Sequence, residues 1–349
     1  MATWGERRFS PASPQQKGNS MKNRFVLIAI TVGTMVLALS SCDRFSPDKG
    51  ASPEPVRIAY LQNDIHHLAL WVALEKGFFQ EEDVEVEIAG IFRAGPEVMS
   101  AFIAGALDMA YVGEAPTTFA VANRTADVKV VAQVNTEGSA LVVSSGPEAI
   151  RRVSDLNGKT VGVPGHATVQ DFLVKKALVQ AGIDPSSVNI LIIKPPEMIN
   201  ALRTGQIDAF IAWEPYPAKA FEMGVGRNLA TSNDIWADHP CCVLVTDSAY
   251  LKTDPEKVKK VLRAHVRATE YIGDHPEEAV RIGVKYTGMD EASIRRALQS
   301  VAYTYVPSVK GEMEYVRFLS DLGYITVDDP DAFVSDLIVG EMVDNIGAR

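Results

Sequence analysis

One short structural unit occurs twice in this chain. Ala101, Gly105, Leu107, Asp108, Glu114 and Pro116 are answered by Ala201, Gly205, Ile207, Asp208, Glu214 and Pro215, the last pair one position out of step. In both copies an apolar helix runs to a Gly able to take the left-handed conformation. A short apolar strand follows and ends in a Glu and Pro loop. Helix-to-strand units of this kind specify an open α/β sheet. In such sheets ligands sit outside the carboxyl ends of the strands, so Glu114 and Glu214 mark two equivalent rims of one candidate site.

The flanking chain supports two homologous lobes. Residues 56–61 and 84–88 read as strands, with a helix between them stopped at Lys76-Gly77 and a second helix opening at Pro96. Further strands are expected at 128–134 and 140–144. The same programme then restarts: strand 160–163, helix 168–180 stopped by Gly182, strand 188–193, helix 198–202 and strand 207–212. The first strand and the repeated Asp are 50 positions apart from Ile58 to Asp108 and 47 from Val161 to Asp208. This order predicts parallel sheets covered by helices. A strand at 241–246 and helices over 255–273, 276–286 and 291–303 need a sheet face to bury against, and the first lobe has had less chain than it requires.

A length of 349 residues with 47% apolar content allows two ordinary domains, each with its own core. Removing residues 1–41, which hold five Lys or Arg against one Glu, takes the formal charge from -10 to -14. Nucleic acid and anionic membrane surfaces are therefore not expected as partners. Three Cys make no disulfide framework, and no Cys-x-x-Cys or zinc spacing is present. Cys241 and Cys242 lie side by side in an apolar run, where neighbours on a strand point to opposite faces, and read as buried free thiols.

The amino terminus carries an address. Residues 1–20 look like an upstream extension. Met21-Lys22-Asn23-Arg24 is basic, and 25–39 is an apolar run of signal-core length, too short to favour a membrane span. Leu39-Ser40-Ser41-Cys42 closes it and resembles the bacterial lipobox, which implies lipidation at Cys42; the rival is an ordinary secretory signal cleaved nearby. Residues 42–55 then read as a flexible tether.

Several stretches carry a wider resemblance. Glu75-Lys76-Gly77-Phe78-Phe79, Val84-Glu85-Val86-Glu87-Ile88, Gly105-x-Leu107-Asp108, Gly113-Glu114-x-Pro116 and Ala212-Trp213-Glu214-Pro215 together resemble the solute-binding proteins of ABC importers. The subgroup handles nitrate, taurine and alkanesulfonates, with thiamine-pyrimidine and riboflavin binders as relatives. The resemblance runs from about Val56 to the end. It implies a type II periplasmic-binding fold: two α/β lobes joined by a two-strand hinge, with the ligand cleft between them. Lobe 1 would comprise 56–143 plus 239–349, and lobe 2 144–238. The implied partners are a small-molecule solute and an ABC permease and ATPase complex. The chain is expected as a monomer outside the cytoplasmic membrane, touching it by the lipid anchor only, with no cofactor and no metal.

Candidate ligand residues follow the strands. In lobe 2, Gly165-His166-Ala167-Thr168 leads into a helix, with Thr168 as N-cap and Asp171 three residues on; Thr168 either only caps or also meets ligand through the free N–H groups of the helix start. His166 is a donor or a solvent-facing loop residue. In lobe 1, Gln62, Asn63, His66 and His67 occupy the equivalent turn. Adjacent His side chains diverge and no third ligand is visible by spacing, so hydrogen bonding to solute is preferred to a metal for them, with plain surface positions as the rival. Phe92, Arg93 and Gly95 follow the second strand; Arg93 clamps an acidic ligand or is a solvated charge. Glu114, Ala115 and Pro116 form the small loop of the first copy. Trp213, Glu214 and Tyr216 form the bulky loop of the second, where Trp213 stacks on solute or packs in the core and Glu214 reads as structural.

Three function classes remain at this level. The leading one is a lipid-anchored binding protein delivering a small solute, such as a nitrate-like or sulfonate-like anion or a small heteroaromatic, without chemistry. The second is a ligand sensor docking to a membrane receptor. The third is an enzyme of the thiamine-pyrimidine synthase type, which the resemblance would require to carry a Cys-rich motif; only Cys241-Cys242 is clustered here. Phosphate-loop, His-Glu-x-x-His and Gly-x-Ser-x-Gly motifs are absent.

Overall fold

Two sheets with the same internal order organise the structure. The computed structural model describes residues 54–146, 150–344 and 346; the signal segment, Cys42 and the tether as far as residue 53 lie outside them. Among the described residues no helix is long and apolar enough to cross a membrane.

The strands are β1 (Val56–Leu61), β2 (Val86–Phe92), β3 (Met109–Gly113), β4 (Val128–Glu137), β5 (Ser139–Ser144), β6 (Thr160–Val163), β7 (Asn189–Ile192), β8 (Ala209–Trp213), β9 (Gly226–Thr231), β10 (Pro240–Asp247) and β11 (Val301–Tyr303). The first sheet runs β11-β4-β10-β3-β1-β2 and the second β7-β6-β8-β5-β9. In each, the repeated strand (β3 or β8) lies between a parallel first strand (β1 or β6) and an antiparallel one (β10 or β5). The sheets are thus mixed, not parallel throughout, because a strand from the other pass of the chain enters each centre.

The repeated residues explain the equivalence. Gly105 and Gly205 stop their helices at φ 67° and 71°, a conformation in which a Cβ would clash with the following carbonyl. The Asp108 carboxylate then accepts the backbone N–H of Arg57 at 2.8 Å, and the Asp208 carboxylate that of Thr160 at 2.8 Å. Each Asp pins the start of the third strand to the start of the first. That sets the register in which both strands end on the same rim.

Four expectations need correction. The strand expected at 84–88 is β2, which extends to Phe92 and holds Phe92 in register with Leu61. The helix expected over 291–303 stops at Leu298, and Val301–Tyr303 pairs with β4 as the edge strand β11. The segment Ser139–Ser144 belongs to the second sheet, so the chain leaves the first at Gly138 rather than after residue 143. Cys241 and Cys242 do not point apart, because β10 bulges there: Pro240 pairs with Thr136 and Cys242 with Asn135, leaving Cys241 unpaired.

The carboxy-terminal helices cover the first sheet. Pro255–Asp274 buries Val258, Val261, Leu262, His265 and Val266 at helical spacing. Trp71, wholly buried, stacks on Tyr286 with ring centroids 5.1 Å apart. Across the two sheets, Phe172 of the helix Val169–Gln180 packs on Tyr315 and Phe318 of the helix Val309–Asp321 at 4.5 and 4.7 Å. An apolar cluster therefore joins the sheets on that flank.

Candidate functional site

The strand ends of both sheets meet over one small cavity. The first sheet and its loops supply Leu61, Asp64, Gly95, Gly113, Pro116, Cys241 and Cys242, and the second supplies Thr168, Val169, Gln170 and Trp213. Its volume is about 10 Å³, room for roughly one water-sized sphere. Close approach of small residues makes it so tight: a Cβ on Gly113 would sit 3.1 Å from Val169 Cγ2, and one on Gly165 3.8 Å from the Ala94 Cβ. Between the elements of the two sheets Lys194 Nζ meets Glu97 Oε1 at 2.6 Å, Lys219 Nζ meets Asp290 Oδ2 at 2.7 Å, and Arg296 Nε meets Glu222 Oε1 at 2.8 Å. These pairs are solvent-exposed in part, and each contributes only about 0–1 kcal/mol.

Of the residues expected from sequence, Gly95, Pro116, Thr168 and Trp213 line the cavity. Thr168 caps the helix Val169–Gln180: its Oγ1 donates to the Gly165 carbonyl at 2.8 Å and accepts the Asp171 N–H at 3.2 Å. The Asp171 carboxylate accepts the N–H of Ala167, the residue before the cap, at 2.9 Å, so the capping box that the spacing implied is shifted by one residue. Ala167 itself has φ 56°. Trp213 is buried, and its indole N–H has no hydrogen-bond partner.

Other expected residues lie elsewhere. Gln62, Arg93 and His166 are exposed and do not line the cavity. The Arg93 backbone N–H is tied to Glu97 Oε2 at 2.9 Å. Phe92 is half-buried in its strand. Asn63 and Tyr216 line a separate surface groove of about 450 Å³. Ala115 is wholly buried.

The two glutamates are interior groups. The Glu214 carboxylate accepts the Ala218 N–H at 3.0 Å, its carbonyl accepts the Ile65 N–H at 3.2 Å, and its own N–H donates to the Gly138 carbonyl at 2.8 Å. Burial pushes its carboxyl up to about 7, against the opposing pull of the Ala218 N–H. Glu114 accepts from Gln133 Nε2 at 3.2 Å and faces Glu312, whose Oε1 accepts from Thr118 Oγ1 at 2.7 Å. Burial and then the charge of Glu312 push the Glu114 carboxyl well above the carboxylate range. Burial raises Glu312 to about 7. Of the two carboxyls, Glu114 is held further above the ordinary range.

Behind the cavity wall lies a buried polar cluster that local reading of the chain missed. His66 and His67 are fully buried, not surface groups. His66 Nε2 meets the Gly138 carbonyl oxygen at 2.8 Å, and His66 Nδ1 lies 3.6 Å from both Cys241 Sγ and Cys242 Sγ. Asp64 Oδ1 is 3.3 Å from the same nitrogen, and Asp64 Oδ2 is 3.8 Å from His67 Nε2. Burial lowers the His66 pKa, but the charges of Asp64 and Cys241 outweigh it and raise it to about 9. Burial and then the adjacent His66 push His67 well below its ordinary value. Two signals were available: the adjacent His66-His67, for which spacing offered no third ligand, and the Cys241-Cys242 pair, which strand alternation argued apart.

A model of the NMT1-like family matches residues 49–283. A Brucella abortus (strain 2308) chain named as a binding protein is 28% identical over 262 residues, covering 74% of this chain and 80% of that relative. The formylaminopyrimidine-binding protein of Halalkalibacterium halodurans is 26% identical over 278 residues, covering 77% and 80%. Among solved structures, the periplasmic nitrate-binding protein NrtA from Synechocystis PCC 6803 superimposes with a TM-score of 0.76 at 15% identity, over 84% of this chain and 88% of that one. The fold is that of the periplasmic binding proteins.

Proposed function

The chain belongs to the NMT1-like family, and from that premise we propose that it is the solute-binding component of an ABC importer, capturing one small molecule between two lobes and performing no chemistry on it. The observation that carries this reading is the cavity: equivalent strand ends of two equivalently ordered sheets close over it, and residues of both line it. The proposed lobes follow the sheets. Lobe 1 takes the chain to Gly138 and again from residue 239, and lobe 2 takes the stretch between them. Two passes at these points are the hinge.

A cavity of about 10 Å³ is smaller than any of the solutes considered, so capture requires the lobes to part and the screened ion pairs between them to separate. The solute class follows from the lining. Its polar side chains are Asp64, Thr168, Gln170, Cys241, Cys242 and the Trp213 indole, and no Lys or Arg is among the described lining residues. A small heteroaromatic, held by stacking on Trp213 and by a few hydrogen bonds, fits that lining better than a sulfonate. Nitrate remains the anion to test, held by the N–H groups at the start of the helix Val169–Gln180. In a thermal-shift screen of nitrate, sulfonates, pyrimidines and flavins, one solute should raise the melting temperature of residues 43–349, since a ligand binding only the folded form stabilises it. Turnover of one of them without any shift would overturn the reading.

The location proposed is the outer face of the cytoplasmic membrane, with a lipid on Cys42 and residues 43–55 as tether, on the strength of Leu39-Ser40-Ser41-Cys42. Cys42→Ser is expected to move the protein from the membrane to the soluble fraction. Unchanged sedimentation with membranes would refute the anchor.

A further inference from the structure

We propose that Cys241, Cys242 and His66 bind one thiophilic divalent cation of the zinc type at the base of the cavity, beside Asp64. The donors come from two stretches far apart in the chain, and the fold brings them together: one ligand atom each from His66, Cys241 and Cys242 lies within 4.8 Å of the others. Two features built for other ends would not produce this. The bulge in β10 leaves Cys241 unpaired, so that both sulfurs, not one, lie 3.6 Å from His66 Nδ1. The far ring nitrogen of His66 is held by the Gly138 carbonyl at 2.8 Å, the contact that fixes the tautomer of a metal-ligating His and leaves the near nitrogen's lone pair facing the metal.

The distances fit the ion. Bond lengths of about 2.3 Å to sulfur and about 2.0 Å to nitrogen in a tetrahedral zinc site place S and N about 3.5 Å apart. The observed separations from His66 Nδ1 are 3.6 Å to each sulfur and 3.3 Å to Asp64 Oδ1. All four side chains are buried. The thiol and imidazole donors select a borderline-soft cation over calcium or magnesium, which take oxygen ligands. On binding, the protons held by the sulfurs and by His66 Nδ1 are displaced to solvent and the metal takes their place among the donors.

The inference shares the cavity with the solute reading but does not rest on it. The test uses the reduced, metal-free chain and Co²⁺ as the probe. One equivalent should give thiolate-to-cobalt charge transfer in the near ultraviolet and the visible bands of tetrahedral cobalt, and one equivalent of Zn²⁺ should remove both. Cys242→Ser should weaken binding on the order of a hundredfold, and the Cys241→Ser/Cys242→Ser double variant should abolish the charge-transfer band. Should these variants fail to fold, Zn²⁺ protection of both thiols from alkylation in the native chain carries the test. A weak, oxygen-only cobalt spectrum, alkylation unaffected by Zn²⁺, or a band that survives in the folded double variant would each overturn the site. A solute thermal shift with no metal uptake would sink this proposal alone, and metal uptake with no solute shift would sink only the other.

Discussion

Gly138→Ala is expected to destabilise the chain by about 3 kcal/mol, from a left-handed backbone cost of roughly 1–2 kcal/mol and an overpacking cost of about 1–3 kcal/mol. Gly138 has φ 82°, and an added Cβ would stand 2.2 Å from His66 Nε2 and 2.8 Å from Val301 Cγ2. Neither neighbour yields easily. His66 is tied through its ring to the Gly138 carbonyl and through its backbone N–H to Asp64 Oδ1 at 3.0 Å. The same carbonyl also accepts the Glu214 N–H, so one residue joins the crossing between the sheets to both halves of the site. Gly105→Ala is the matched control: φ is 67°, but nothing lies within 4 Å of the added Cβ. It should cost only the backbone term, about 1 kcal/mol. Urea midpoints at constant slope measure both. Equal losses for the two variants would show that the contact with His66 relaxes freely.

Glu312→Gln should make the chain more stable than the unaltered protein above pH 7 while leaving the two nearly equal at pH 4.5. The ordinary value for a glutamate is 4.5, and burial holds Glu312 at about 7 in the folded chain. A carboxyl raised in this way binds its proton more tightly when folded. Its contribution is fully present below about 4.5 and is lost as pH rises through about 7. Above that pH the ionised, buried group destabilises the fold, a cost that the neutral amide avoids. Buried His265, lowered to about 4 by burial, changes the absolute profile on the acid side, so the readout is the difference between the two proteins at each pH. Parallel profiles from pH 4.5 to 8 would mean that Glu312 is not the titrating group.

The repeat was legible because its physics is local. A helix stopped at Gly105 or Gly205, and an Asp that takes the N–H of the first strand's start, need only the residues near each stretch and one neighbouring strand. Thr168 and its partner Asp171 were legible for the same reason: a cap spans four residues. The exposed loop residues Gln62, Arg93 and His166 were not. A turn's position after a strand is encoded locally, but whether a side chain there faces the cavity depends on how the opposite lobe closes over it.

By itself, then, the sequence determined the two α/β units, their helix stops and caps, the apolar strands, and the family to which the chain belongs. Only the tertiary structure decided that β10 enters the first sheet with a bulge, that Ser139–Ser144 joins the second sheet, and that Glu114 meets Glu312. It alone placed His66 and Asp64 against Cys241 and Cys242. The physical reason is separation. Strand alternation predicts where a Cys points only when the strand is regular, and the irregularity of β10 is set by its partner β4, which lies far away in the chain. Buried charges likewise need distant partners, and no local periodicity records them.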